Sequence, residues 1–136
     1  MKLIHRLFQH PSRAKWALNY AWPAWWFTGI KINHISDDYR SIDVRMKLRF
    51  YNANYVGTQF GGNLFAMTDP FYMLMLLHNL GPDYIVWDKA GSIEFVSPGR
   101  GTVNTTFSLT QDTINAIKDE TKTKRSITQS FIINVT

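Results

Sequence analysis

Between residues 41 and 50, polar and apolar side chains alternate without a break. Every second residue is apolar and the residues between are polar or charged: Ile42, Val44, Met46, Leu48 and Phe50 alternate with Ser41, Asp43, Arg45, Lys47 and Arg49. A repeat of two residues is the period of a strand that buries one face. The pattern therefore predicts a half-buried β-strand from Ile42 to Phe50.

Similar alternation predicts three more strands in the second half of the chain, at residues 84–96, 102–109 and 126–135. The segment Ser97–Gly101 has the composition of a turn and separates the first two. Residues 111–119 have the pattern of a short helix, and Thr110 suits its N-cap position.

Residues 63–80 are apolar on nearly every side, which is typical of a buried helix. Gly81-Pro82 supplies the stop expected at its C-terminal end. The predicted order is therefore a strand, a buried helix and three further strands. This order favours an α+β fold in which an antiparallel β-sheet wraps around one central helix.

The first 30 residues form a predicted N-terminal helical extension to a main domain at residues 31–136. This extension is rich in aromatic side chains, and helical spacing of apolar residues runs up to Pro23. It could dock on the domain or across a subunit interface, or it could anchor at a membrane surface. The sequence favours docking, because a peripheral anchor should have a cleaner charged face.

Composition narrows the possible chemistry. The chain has 136 residues, of which 45% are hydrophobic and 15% aromatic, as expected for one packed domain. It contains no cysteine, which excludes disulfides and thiol nucleophiles. Its net charge of +5 favours an anionic partner. The bases are scattered, however, so no nucleic-acid partner is predicted.

The sequence also lacks the usual targeting and metal-binding patterns. The charged start at residues 1–6 is not followed by the uninterrupted apolar stretch of a signal peptide. No segment reaches the roughly 20 apolar residues of a membrane span, and a cytoplasmic location is expected. The histidines have no ligand spacing, so no metal site is predicted.

Candidate chemistry lies between Asn54 and Asp69. The pair Gly61-Gly62 opens the predicted helix, where free N–H groups can face an anion or a polarised carbonyl. Asp69 is a carboxylate within an apolar run and is costly to bury unless it has a role or a partner. Backbone N–H donors that can hold a carbonyl oxygen, together with a carboxylate, suggest acyl chemistry. Alternatively, the glycines form a tight turn, Asn54 is a turn residue, and Asp69 caps a helix that starts at Pro70.

The spacing of Asn54, Gly57, Gly61-Gly62 and Asp69 resembles that of the hot-dog-fold acyl-CoA thioesterases, especially the phenylacetyl-CoA thioesterase (PaaI-like) group and its relatives. Segments 87–89 and 95–101 resemble the same proteins, and the likeness covers about residues 35–135. It implies a hot-dog fold, hydrolysis of acyl-CoA and no cofactor. Phe60 stands where the family has histidine. The family usually has a further C-terminal strand, so either the final strand is missing from this sequence or the sheet is completed differently.

The resemblance also implies roles for individual residues. Asp69 would act as general base or as nucleophile, the Gly61 N–H would polarise the thioester carbonyl, and Asn54 would orient water or the thioester oxygen. Further residues would contact the substrate: Gly62, Phe65, Asp88, Lys89 and Arg100, of which Arg100 would meet the coenzyme A phosphates.

Distance along the helix predicts an oligomer. Eight residues of straight helix would separate Gly61 from Asp69 by roughly 12 Å, too far for both to reach one carbonyl. In a two-fold dimer, Gly61 of one subunit would face Asp69 of the other. Hot-dog relatives are dimers, often paired into tetramers.

Two other functions are compatible with this fold. One is a non-catalytic hot-dog module that binds acyl-CoA or acyl chains. The other is a dehydratase or hydratase, which is disfavoured because such chemistry needs a histidine beside the carboxylate. Phe60 replaces the family histidine, and His78 is predicted on the opposite helix face from Asp69.

Overall fold

The computed structural model describes residues 7–136, so the charged start at residues 1–6 lies outside the described part. Its helices and strands are α1 (Pro11–Trp16), a π-helical turn (Ala17–Ala21), a 3-10 turn (Pro23–Trp25), β1 (Ile30–Ile35), β2 (Ser41–Lys47), α2 (Gly61–Ala66), α3 (Phe71–Leu80), β3 (Thr102–Ser108) and α4 (Gln111–Thr121). No helix within residues 7–136 is long and apolar enough to cross a membrane.

The three strands form an antiparallel sheet with β2 in the centre. Ile42, Val44 and Met46 are buried and the residues between them are more exposed, so the predicted strand and its buried face are confirmed. The strand ends at Lys47, earlier than predicted. The chain turns there, and Phe50 is 94% exposed and does not reach the core.

One side of the sheet packs against α3. The Phe71 ring lies 4.7 Å from the Phe107 ring of β3 and 5.7 Å from the Trp25 ring of the N-terminal segment. Phe71, Met75 and Phe107 are fully buried. The N-terminal segment is fixed to β1, because the Asn19 side chain donates to the Ile32 carbonyl and accepts from its N–H. The fold is therefore a mixed α and β structure built on a three-stranded antiparallel sheet.

The predicted helix at residues 63–80 is two helices. α2 ends at Ala66 and α3 begins at Phe71, with Thr68, Asp69 and Pro70 in the break. Proline lacks the N–H that a continuous helix would need at this point. The predicted stop at Gly81 is confirmed, since it has a φ of 94° and its N–H donates to the Leu77 carbonyl.

Two of the predicted strands, at residues 84–96 and 126–135, are wrong, because these segments form no strand. The C-terminal segment touches the sheet at Thr136, which exchanges two backbone hydrogen bonds of 2.7 and 2.9 Å with Asn104 of β3. The predictions of β3 and α4 are confirmed. The Thr110 hydroxyl caps α4 by accepting from the Thr113 N–H.

The β1–β2 turn is held by one carboxylate. Asp38 accepts hydrogen bonds from the Ser36 hydroxyl and from both the backbone N–H and the guanidinium of Arg40, at 2.7 to 3.0 Å. These bonds, led by that from Ser36, lower the pKa of Asp38 to about 2. Tyr39 follows with a φ of 53°, in the left-handed region, and its side chain is buried.

We expect Asp38→Asn to lower the free energy of unfolding by about 0.5–1 kcal/mol near pH 7, a small value because the side chain is largely exposed. The folded pKa lies below the ordinary 3.8, so the charged form stabilises the fold above that value. This contribution is lost as the pH falls through about 2. Urea unfolding across this pH range measures it, and Asp37→Asn is the neighbouring control. A loss independent of pH would contradict the prediction.

Candidate functional site

The loop between β2 and α2 is fixed by two buried amide side chains, Asn52 and Gln59, which are 3% and 2% exposed. Asn52 donates to the carbonyls of Thr28 and Lys47 and accepts from the Arg49 N–H. Gln59 donates to the carbonyls of Met46 and Gly101, while its own N–H donates to the Gly99 carbonyl at 2.9 Å. The loop before Gly61 is therefore tied to the N-terminal segment, to β2 and to the turn that precedes β3.

Helix α2 begins at Gly61, directly after this loop. Its first backbone bonds run from the N–H groups of Asn63 and Leu64 to the Phe60 carbonyl, at 2.9 and 3.1 Å. The N–H groups of Gly61 and Gly62 precede these bonds and have no intrahelical acceptor. They form a donor pair that can receive a carbonyl oxygen.

Aromatic rings lie close to both glycines. A Cβ atom at Gly61 would lie 2.9 Å from the Phe95 ring, and one at Gly62 would lie 2.5 Å from the Phe60 ring. A side chain at either position would therefore have to displace a ring. The donor pair needs glycine here for close approach, because neither residue has a positive φ.

Asn54 holds the loop that leads to the glycines. Its Oδ1 accepts from the N–H groups of Val56 and Thr58, and its Nδ2 donates to the Thr58 hydroxyl and to the Gln59 carbonyl. An asparagine amide has two donor hydrogens and two acceptor sites, so all four are engaged. In this conformation the side chain organises the turn and has no further bond to offer a substrate.

Asp69 lies in the break between α2 and α3 and is exposed. The N-cap of α3 is Pro70, and no side chain caps that helix. The capping interpretation of Asp69 is therefore not what the structure shows. None of the described residues donates a hydrogen bond to its carboxylate, which leaves both oxygens accessible.

Residues 84–98 cross α2 and bring a second carboxylate towards Asp69. Phe95 meets Gly61, and a Cβ at Gly91 would lie 3.1 Å from the Phe65 ring. Further along, burial and then the negative charge of Asp69 raise the pKa of Asp88. The two carboxyl groups are therefore close enough to repel each other when both are charged.

The two predicted cations differ in how the structure places them. Arg100 is exposed and lies between Gly99 and Gly101, whose carbonyls both accept hydrogen bonds from Gln59. This pairing sets Arg100 beside the loop that leads to Gly61. Lys89 is exposed next to Asp88.

A cleft of about 300 Å³ opens beside the start of α2. It is lined by Pro23, Ala24, Phe27, Thr28, Tyr51, Asn52, Ala53, Phe60 and Asn63. A larger cleft, of about 460 Å³, lies against α4 near Tyr84 and Lys122 and contains none of the predicted site residues. We place the candidate site at the smaller cleft, because Phe60 and Asn63 flank the two glycines.

Several residues of this site are not evident from the sequence. Asn52 and Gln59 look like ordinary polar loop residues, and Phe95 looks like one position of a strand. The sequence gives only a weak signal for the two amide side chains. Both lie in a loop that leads from a strand into a buried helix, and backbone groups in such a loop need hydrogen-bond partners. His78, predicted to lie away from Asp69, stacks on Tyr39 with ring centres 3.6 Å apart.

Comparison with known proteins gives a family and a structural neighbour. The family described as "domain of unknown function (DUF4442)" matches residues 11–135. The fold is similar to the crystal structure of PA5026 from Pseudomonas aeruginosa, a protein of unknown function described as a probable thioesterase. The TM-score is 0.69 at 18% identity, over 84% of this chain and 77% of that chain. No curated protein matches the sequence.

We expect Asp69→Asn to lower the pKa of Asp88 partway towards its ordinary value. The substitution removes the neighbouring charge but leaves the partial desolvation of Asp88 by the surrounding chain, which is the larger cause of the upward pKa shift. Carboxyl-carbon NMR titration measures the change. Asp83→Asn is the control and should leave the pKa of Asp88 unaltered. An identical Asp88 pKa in Asp69→Asn would show that the two groups do not interact.

Proposed function

This chain belongs to the DUF4442 family, and we propose that it hydrolyses acyl-CoA thioesters to a free acid and coenzyme A. One observation carries the proposal: α2 begins with free N–H groups at Gly61 and Gly62, and an accessible carboxylate, Asp69, follows its end. The fold shared with a probable thioesterase supports this class of reaction.

The donor pair would hold the thioester carbonyl. In the tetrahedral intermediate the carbonyl oxygen becomes an anion, which backbone N–H groups stabilise more strongly than they stabilise the ground state. The Gly61 N–H points out of the first helical turn, where the helix dipole adds to this effect. Phe95 covers this position and would have to shift when substrate binds.

Asp69 would supply the other half of the reaction. As general base it would take a proton from water while the water oxygen bonds to the carbonyl carbon; the carbon–sulfur bond then breaks and the proton passes to the departing thiolate. As nucleophile it would form an acyl anhydride as the carbon–sulfur bond breaks and coenzyme A leaves as the thiolate. Water would then hydrolyse the anhydride, which frees the acid and the Asp69 carboxylate, and the proton released from water would pass to the thiolate. The exposed carboxylate suits either route.

The remaining residues would position these groups and the substrate. We assign Asn54 to holding the loop before Gly61, since its amide is fully engaged there. Asp88 would orient water beside Asp69. Arg100, with Lys89 at the rim, would meet the phosphates of coenzyme A.

The acyl group would enter the 300 Å³ cleft beside α2. Pro23, Phe27, Tyr51 and Phe60 give the cleft apolar walls next to the donor pair. Its volume is at the small end of the range of ligand pockets, which suits a short or aromatic acyl group. Phe65 packs against Gly91 and would border the site from the other side of α2.

The two halves of the chemistry would come from two subunits of a homo-oligomer. Gly61 begins α2 and Asp69 follows its end, so a single carbonyl cannot lie within about 3 Å of both in one chain if the helix stays intact. A two-fold dimer would form two equivalent composite sites.

The first experiment is thioester hydrolysis over a panel of short, long and aromatic acyl-CoAs. We expect Asp69→Asn to lower kcat by about 10²–10⁴, the typical contribution of a positioned base. Asp83→Asn, another exposed aspartate, is the matched control and should retain native activity. Binding of acyl-CoA without turnover by the native chain would instead support a non-catalytic acyl-CoA-binding module.

The donor at Gly61 can be deleted with little change to the backbone. Proline suits the first residue of a helix, and the preceding Phe60 is extended, with a φ of −67° and a ψ of 125°. Gly61→Pro should therefore keep the backbone fold and lower kcat by about 10²–10³. Its ring would displace Phe95, so Gly61→Ala, which adds a Cβ there but keeps the N–H, is the control for that contact. A native circular dichroism spectrum is the control for folding, and unchanged turnover would exclude this N–H from catalysis.

Mixing the two inactive variants tests the composite site. Refolding Asp69→Asn together with Gly61→Pro should restore up to about a quarter of native activity, because half of the dimers are mixed and each mixed dimer has one intact site. Each variant refolded separately is the control. Absence of rescue in dimers shown to be mixed would place both groups of each site in one subunit.

Filling the cleft should change acyl selectivity. We expect Ala24→Trp to raise KM for longer acyl groups about ten-fold, with less effect on acetyl-CoA, because the indole would occupy the cleft. Ala116→Trp, on the exposed surface of α4, is the control. Equal effects on all substrates would argue that the acyl group binds elsewhere.

A further inference from the structure

Seven aromatic side chains in two segments of the chain are exposed to solvent. They are Trp16, Tyr20, Trp22, Trp26, Phe27, Phe50 and Tyr51, which we call the aromatic face. The buried residues of the same N-terminal segment are smaller, apart from Trp25. Exposed apolar patches of this kind mark interaction surfaces.

Direct contacts join five of the seven members of the aromatic face, in two groups. The Trp26 indole N–H donates to the Tyr20 carbonyl at 3.2 Å. The Phe27 ring meets the Tyr51 ring edge-on at 6.4 Å, and Tyr51 meets Phe50 at 5.2 Å. Phe27 and Tyr51 therefore connect the N-terminal segment to the loop after β2.

The charge around this face has one sign. Residues 7–36 and 44–68 contain six basic side chains and no acidic one, whereas all ten acids of the chain lie at residues 37–43 and 69–120. The Lys31 ammonium lies 4.3 Å from the centre of the Tyr20 ring, and Lys31 pairs with Arg45 across β1 and β2. Arg49 is exposed beside Phe50.

We propose that the aromatic face binds the surface of an anionic phospholipid bilayer. Indole and phenol rings favour the boundary between lipid headgroups and acyl chains, and neighbouring Lys and Arg are attracted to anionic lipids. Phe27 and Phe50 are 75% and 94% exposed, so both rings protrude far enough to enter that boundary.

Other occupants fit this face less well. A second copy that packed the same face against this one would bring two sets of basic side chains together, which costs energy unless acids separate them. The dimer proposed above is different, because it brings an acid, Asp69 of the other subunit, to Gly61. Single-stranded nucleic acid needs rings that lie flat along a continuous groove, whereas these rings protrude from helical turns and a loop. The sequence did not favour membrane binding because the N-terminal extension lacks a clean charged face. In the folded chain, β2 and the loop after it supply further cations beside the extension.

The experiment is flotation of the full chain with phosphatidylcholine vesicles, with and without phosphatidylglycerol. We expect binding to the anionic vesicles, weak binding to the neutral ones, and loss of binding as salt rises. A blue shift of tryptophan emission should accompany binding. This test needs no enzymatic activity, so its outcome is independent of the proposed hydrolysis.

Two sets of variants separate the aromatic and the charged contributions. Trp26→Ser with Phe27→Ser should weaken vesicle binding at least ten-fold, while Ile132→Ser, 91% exposed outside the face, should not. Arg45→Gln, Lys47→Gln and Arg49→Gln should each weaken it about five-fold. Lys118→Gln and Arg125→Gln, outside this face, are the charge controls.

Four results would overturn the proposal. One is a failure of the native protein to float with anionic vesicles. Another is an equal loss of vesicle binding in Trp26→Ser with Phe27→Ser and in the control, Ile132→Ser. The third is a dimer, seen in sedimentation equilibrium, that Trp26→Ser with Phe27→Ser disrupts, since this would mean that a second copy covers the face. Tighter binding to oligonucleotides than to vesicles would assign the face to nucleic acid.

Discussion

The structure depends on satisfying the backbone of one loop, which carries the chain from the edge of the sheet into the buried helices. Backbone groups that leave water here need partners, and Asn52 and Gln59 supply them from nearly full burial. Asn52 reaches the N-terminal segment through Thr28. Gly29 permits this approach, since a Cβ there would collide with the Asn52 amide. The same contacts therefore fix the position of the N–H groups at the start of α2 and of the neighbouring wall of the cleft.

The sequence predicts local structure well where one periodic pattern determines the result. β2, β3 and α4 follow from period and capping, and Gly81 ends α3 as expected. The pattern at residues 63–80 is compatible with one helix or two, because buried helices are apolar all round and periodicity does not reveal a break. Pro70 is the local signal that decides it. Alternation at residues 84–96 indicates a segment that could form a β-strand. A strand also requires a neighbouring strand to pair with, and the local sequence does not encode that neighbour.

The candidate site shows the same division between local and long-range information. Spacing identifies Gly61, Gly62 and Asp69 as a set, and the structure adds what spacing cannot: the ring of Phe95 over the first glycine and the charge of Asp69 acting on Asp88. Both depend on residues 84–98 crossing α2, a contact between distant parts of the chain. The aromatic face has a similar origin, since two acid-free segments become one surface only when the fold brings them together, as in the Phe27–Tyr51 contact.

The two sides of the candidate site differ in how firmly they are held. The loop before Gly61 is tied down by backbone and buried amide bonds, so the donor pair is preorganised, which is the condition under which N–H groups stabilise a developing anion most effectively. Opposite it, residues 85–98 form no backbone–backbone hydrogen bond with any described residue and contact α2 through side chains such as Phe95. Displacing such a segment breaks few hydrogen bonds. A substrate can therefore displace the Phe95 side of the site at low cost without disturbing the N–H groups that would bind its carbonyl.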